Sequence, residues 1–128
     1  MVICHKSREK ANVVASITAI GEVAGKNIVI VDDMVDTAGT LAKAANVLKD
    51  MGALSVRACA THAVFSGPAY EKIANSALEE VIVSDTIPLD ADPAKDKTKI
   101  TVLTMTKMFA DIIRKVYNYE EISSSFIN

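Results

Sequence analysis

At 128 residues, half of them hydrophobic and with a formal net charge of −2, the chain suffices for one domain with a proper core and offers no electrostatic case for binding nucleic acid. No apolar run approaches the ~18 residues of a membrane span, and the first residues lack the charged-then-apolar pattern of a signal peptide. The two cysteines, Cys4 and Cys59, have no metal or redox spacing and sit in apolar strand-like runs, so buried thiols in a cytosolic protein are expected.

Met1 to His5 reads as a short buried strand, so the chain starts directly on an element of a sheet and is expected to be a fragment. Lys6 to Lys10 is a charged, glycine-free stretch that by itself reads as a solvated loop. Val13 to Ile20 alternates like a strand, and Gly21 to Lys26 is a turn punctuated by Gly21 and Gly25.

Asn27 to Thr40, NIVIVDDMVDTAGT, carries the most chemistry. Its β-branched run, Ile28 to Val31, is apolar on both faces and suits a central strand of a parallel sheet. The paired carboxylates Asp32 and Asp33 follow, then the small, hydroxyl-rich turn Asp36, Thr37, Ala38, Gly39, Thr40. In such a turn backbone amides converge on an anion, the threonines add hydroxyl donors, and the following helix adds the positive end of its dipole. Gly39 is expected to supply a φ that other residues reach only with strain. Carboxylates repel a phosphate, so the acidic pair must face ribose hydroxyls or a divalent cation. The alternative is a solvated loop start with Asp36 and Thr37 merely capping a helix. Acid pair and turn together, in register after an apolar strand, favour a ribose-5-phosphate cradle.

Helical spacing of Leu41, Ala44, Ala45 and Leu48 predicts a helix from Thr40 to Met51 closed by Gly52, and Ser55 to Ala60 predicts the next strand of a right-handed βαβ unit. His62 in the following segment is expected to be structural. Ser66 and Pro68 suit the N-cap and first position of a helix over Ala69 to Ala77. Glu80 to Ser84 is another parallel strand. Leu89 to Lys99 holds six charged residues and reads as an exposed connection. Ile100 to Leu103 is a last strand and Thr106 to Tyr117 an amphipathic helix with Met108, Ile112 and Val116 on one face, where Met105 and Met108 are expected to fill the core.

VIVDDMVDTAGT resembles the PRPP-binding signature shared by type I phosphoribosyltransferases and PRPP synthetases (ribose-phosphate pyrophosphokinases). HKSREKANVV, THAVFSGPAYEKI and the SSSF tail select the synthetases, and together these stretches span nearly the whole chain. The resemblance implies an α/β fold, a mostly parallel sheet flanked by helices of the phosphoribosyltransferase type. It implies one domain over residues 1–128, the C-terminal half of a PRPP synthetase subunit. The implied reaction is ATP + ribose 5-phosphate to PRPP + AMP in the cytoplasm, by an enzyme that needs Mg²⁺ and whose full-length form is a homo-oligomer. The isolated chain would be inactive for want of the ATP-reading half. By the same resemblance, Lys6 and Arg8 are the catalytic cations of a loop that closes over the ATP phosphates. Asp32 and Asp33 hold the ribose, Asp36 to Thr40 hold the 5-phosphate, and Ser123 and Phe126 match a regulatory anion site between subunits. No metal ligand is assigned. The alternatives are a type I phosphoribosyltransferase, which would need a hood segment not found here, and a non-catalytic regulatory relative.

Overall fold

β-branched residues lose side-chain freedom in a helix and pack well on a pleated surface, so Ile28 to Val31 belong in a strand. The computed structural model describes residues 3–7 and 16–125, with side chains from residue 21 onward. Two short strands, β1 (Ile3–Ser7) and β2 (Ser16–Ile20), pair antiparallel with Ile3 opposite Ile20. The strands β3 (Asn27–Val35), β4 (Ser55–Ala63), β5 (Glu80–Ser84) and β6 (Ile100–Leu103) form a parallel sheet in that order. Helices α1 (Gly39–Asp50) and α2 (Ala69–Ala74) connect β3 to β4 and β4 to β5; α3 (Thr106–Tyr117) follows β6, with a 3-10 turn at Ser123–Ser125. The fold is therefore α/β with a parallel sheet, as expected. No helix among the described residues is long and apolar enough to cross a membrane.

The core lies on one side of this sheet. Leu41, Ala44, Ala45 and Leu48 form the buried face of α1, and most of them join Val56, Ala58, Val81 and Val83 of the sheet and Ile73 of α2 in one cluster. Leu48 is 1% exposed, so its truncation to alanine falls in the range of about 2–5 kcal/mol for buried leucines. Gly52 ends α1 as expected: at φ 91° its amide donates to Lys49 O at 2.9 Å and the Ala53 amide to Leu48 O at 3.1 Å. That pair of bonds satisfies two carbonyls of the last turn and seats Ala53 against the core.

Several expectations need correction. β3 is an edge strand of the described sheet, not a central one, and its other face carries Val29 and Val31 at 61% and 76% exposure. The acidic pair lies inside β3, because the ladder with β4 continues from Asp32 opposite Ala60 to Val35 opposite Ala63. The same pairing carries β4 three residues past Ala60. β1 runs to Ser7 and so takes up Lys6, whereas Met1, Val2 and the stretch from Arg8 to Ala15 lie outside the described residues. Helix α2 stops at Ala74, where Asn75 and Ser76 donate back to Glu71 O and Ile73 O. Its N-cap is Pro68, without a side-chain capping bond. Cys59 is a half-buried free thiol. Residues 85–99 form no element, yet the Asp90 amide donates to Tyr70 Oη at 2.9 Å and the ammoniums of Lys95 and Lys97 lie over the Tyr70 ring.

Helix α3 has the predicted bounds but buries none of its residues among those described; Phe109, Ile113 and Val116 are each half or more exposed. Core filling by Met105 and Met108 is thus overturned: neither belongs to the buried core, and Met108 is 40% exposed. Its start is fixed by Asp85, whose Oδ1 accepts the amide of the N-cap residue Met105 at 2.8 Å while its own amide donates to Leu103 O at 3.1 Å. Hydrogen bonds from the Thr104 side chain and the Met105 amide hold the Asp85 carboxyl below its ordinary range. A carboxyl depressed in this way stabilises the fold above its unfolded value, and loses that effect as pH falls through the folded one. Asp85→Ala should therefore speed amide hydrogen exchange in the first turn of α3 at neutral pH. Below about pH 4 the corrected wild-type rates should converge on those of the variant. Equal protection in both proteins at neutral pH would show that Asp85 does not hold this end.

Candidate functional site

β3 ends at Val35 and α1 begins at Gly39, so Asp36 to Ala38 must reverse the chain at the carboxyl edge of the sheet. The left-handed residue in this turn is Ala38, at φ 55° and ψ 6°, and not Gly39 as expected. Burial accounts for the choice. Ala38 is 4% exposed and its methyl group is part of the core cluster, which offsets the ~1–2 kcal/mol that an L-residue loses in this conformation. Gly39 serves a different need. A Cβ there would lie 3.3 Å from Lys72 Nζ of α2, a tight contact, and 3.8 Å from Thr37 Oγ1, an ordinary one, so the missing side chain leaves room for the ammonium beside the start of α1.

The first-turn amides of an α-helix have no acceptor within the helix. The N-cap residue of α1, Ala38, has no side chain to cap that end, and no carboxylate stands in its first turn. The end faces a cavity of about 440 Å³ whose lining includes Asp32, Asp36, Thr37, Gly39 and Thr40. Helix-start amides, threonine hydroxyls and the helix dipole together suit an anion with several oxygens.

The acids are held individually. Along β3, Asp32 and Asp33 alternate between faces; Asp32 lines the cavity and Asp33 does not. Each accepts the amide of the next residue, Asp33 N to Asp32 Oδ1 at 3.0 Å and Met34 N to Asp33 Oδ1 at 2.8 Å. Asp36 is tethered across the sheet. Ser66 Oγ donates to Asp36 Oδ1 and the Ser66 amide donates to Asp36 O at 3.1 Å, one step after the Phe65 amide donates to Val35 O at 3.0 Å. The hydroxyl of Ser66, the expected cap of α2, is used here instead. His62 Nδ1 lies 2.9 Å from Thr86 Oγ1, itself bonded to Thr61 O.

Asp32, Asp36, Thr37, Ala38, Gly39 and Thr40 are thus brought round one cavity. Lys6 lies on β1 with its side chain outside the description, and Arg8 and Phe126 fall outside the described residues. Ser123 opens the 3-10 turn beyond α3, its amide donating to Glu121 Oε1 at 2.6 Å, and does not line the cavity. Sequence reasoning missed Ser66 and Lys72 at this site. Ser66 stands 30 residues from Asp36, a separation without periodicity, although its place at the end of the paired strand offered a signal.

Residues 3–127 match the sequence model of a family described as the phosphoribosyl synthetase-associated domain. The chain is 54% identical over 127 residues to a ribose-phosphate pyrophosphokinase of Wolinella succinogenes and 50% identical over 127 residues to one of Campylobacter jejuni. Both alignments cover 99% of this chain but 40% of the relative, so the chain spans well under half the length of these proteins. Among solved structures, the phosphoribosylpyrophosphate synthetase from Mycobacterium smegmatis matches with a TM-score of 0.81 and 38% identity, over 92% of this chain and 37% of its own.

The left-handed turn makes a demand on residue 38 that can be checked directly. A β-branched side chain at that φ is strained, so Ala38→Val should lower the unfolding free energy by about 1–3 kcal/mol in denaturant titration. Ala38→Gly, which relieves φ but gives up a buried methyl, should stay within about 1 kcal/mol of wild type. A valine variant as stable as wild type would refute the left-handed assignment.

Proposed function

The chain belongs to the phosphoribosyl synthetase-associated domain family, and from that membership we propose that it is the ribose-5-phosphate-binding, C-terminal part of a ribose-phosphate pyrophosphokinase. The observation that carries this reading is the amino end of α1, without a carboxylate in its first turn, opening on a cavity that also holds Asp32. The turn from Asp36 to Thr40 takes the 5-phosphate on backbone amides and threonine hydroxyls. Asp32, on the cavity side of β3, accepts hydrogen bonds from the ribose hydroxyls, and Asp33 supports the strand end from the other face. Asp36 stands close to the bound phosphate, and its bond from Ser66 engages the carboxylate oxygen that would otherwise oppose the ligand.

The whole enzyme joins O1 of ribose 5-phosphate to the β-phosphorus of ATP, the bond from that phosphorus to the α-phosphate oxygen breaking as AMP leaves. The contribution of this part is to hold the sugar so that O1 points in line, since positioning converts an encounter into an intramolecular step. Lys6 and Arg8 supply positive charge to the diphosphoryl group in transfer. Among the described residues no cluster of three or more His, Cys, Asp or Glu side chains could cage a metal ion. The exposed carboxylate of Asp32 fits a Mg²⁺ ion held mainly by substrate phosphates, the usual way such ions are bound beside nucleotides. When bound, that ion neutralises phosphate charge.

Calorimetric titration with ribose 5-phosphate, with and without Mg²⁺, tests the reading. Wild type should bind the ligand, and an Asp32→Ala/Asp33→Ala variant should lose about tenfold or more in affinity, the worth of one charged hydrogen bond. Ribose without its phosphate should bind wild type far more weakly. A folded wild-type chain that ignores ribose 5-phosphate in both conditions would reject the assignment of the cradle to this part.

A further inference from the structure

We propose that Lys72 of α2 is a further phosphate-binding residue at this site, its ammonium completing the anion pocket at the amino end of α1. The inference rests on the cradle reading and adds to it a residue from a different element. Nζ of Lys72 and Oγ1 of Thr37 converge on the open side of Gly39, both within 4 Å of the point where a side chain would begin. Thr37 and Gly39 line the cavity; Lys72 is not among the lining residues, and its ammonium stands beside Gly39 at the cavity's border.

The electrostatics of the free protein point the same way. Lys72 is half-buried, yet its ammonium has no hydrogen bond or ion pair among the described residues. It also stands at the positive end of a helix, where a cation is disfavoured by about 0.3–1 kcal/mol. A lysine loses up to ~2 kcal/mol of rotamer freedom when ordered, and at this position it gains no partner in return. Its place in the last turn of α2 offers a competing account, a cation complementing that helix's carboxyl end. That account needs the ammonium over the end of α2, whereas it reaches across to α1 instead.

A phosphate monoester dianion reverses the sign of the whole arrangement. It sits favourably at the helix end and brings the missing counter-charge to Lys72, with a charged hydrogen bond worth about 1.5–3 kcal/mol. The gain depends on the phosphate and not on the sugar, so Lys72 selects phosphorylated over neutral sugars. Gly39 has a role in this beyond backbone freedom, because any side chain there would press on the ammonium.

The test titrates ribose 5-phosphate and ribose into wild type, Lys72→Gln and Lys72→Arg, with thermal midpoints measured on the same samples. Lys72→Gln should weaken ribose 5-phosphate binding about tenfold and flatten its salt dependence, with ribose binding and midpoint unchanged, while Lys72→Arg keeps most of the affinity. Lys72→Gln within twofold of wild type, beside an Asp32→Ala/Asp33→Ala variant that loses binding, would leave the cradle standing and remove Lys72 from it. A lower midpoint with ribose and ribose 5-phosphate weakened alike would make Lys72 a structural residue and overturn the proposal. Absence of ribose 5-phosphate binding in wild type would overturn the cradle reading and this proposal together.

Discussion

Parallel pairing between β3 and β4 sets where this chain turns and what the turn can hold. The ladder runs from Asn27 opposite Ser55 to Val35 opposite Ala63, and amides of Phe65 and Ser66 extend it to Val35 O and Asp36 O. Two backbones locked this far leave Asp36, Thr37 and Ala38 to bridge into α1. Within this short connection Ala38 takes a left-handed conformation. The start of α1 then borders the cavity. The site therefore depends on a backbone register, which no single side chain supplies.

The fold was legible wherever periodicity and end signals agreed. The bounds of β5, β6 and α3 follow from the sequence to the residue, and so does the Gly52 stop, because each rests on local sequence. What failed were inferences about neighbours. Ile28 to Val31 is apolar on both faces, which shows that the strand tolerates burial on both; it does not show which layers are present, and here Val29 and Val31 are exposed on an edge strand. The same holds for α3, whose apolar stripe is real and covered by nothing among the described residues. Amphipathicity reports that a surface is apolar, not what packs on it.

At the site, residue types were legible and conformations were not. The acidic pair, the small turn and the helix start can be read from NIVIVDDMVDTAGT, but placing positive φ on Gly39 followed the general preference of glycine. The demand for a methyl in the core moved that conformation to Ala38. Freed from it, Gly39 became the open spot beside Lys72 and Thr37. Alternation along β3 also divides the acid pair, a consequence of both residues lying inside the strand and not after it.

Charges of both signs meet round the start of α1. A half-buried ammonium stands at the positive end of α1, and the carboxylates of Asp32 and Asp36 border the same cavity. Local bonds restrain the acids: an amide holds Asp32 and the Ser66 hydroxyl holds Asp36. These bonds cost little to keep, since both acids are exposed, and they stop the carboxylates from swinging onto the helix end as competing caps. An acid free to cap α1 would stabilise the empty protein and compete with every anion that arrived. The neighbouring amide thus fixes Asp32 locally, and the β3–β4 register, by bringing Ser66 beside Asp36, fixes the second acid across the sheet.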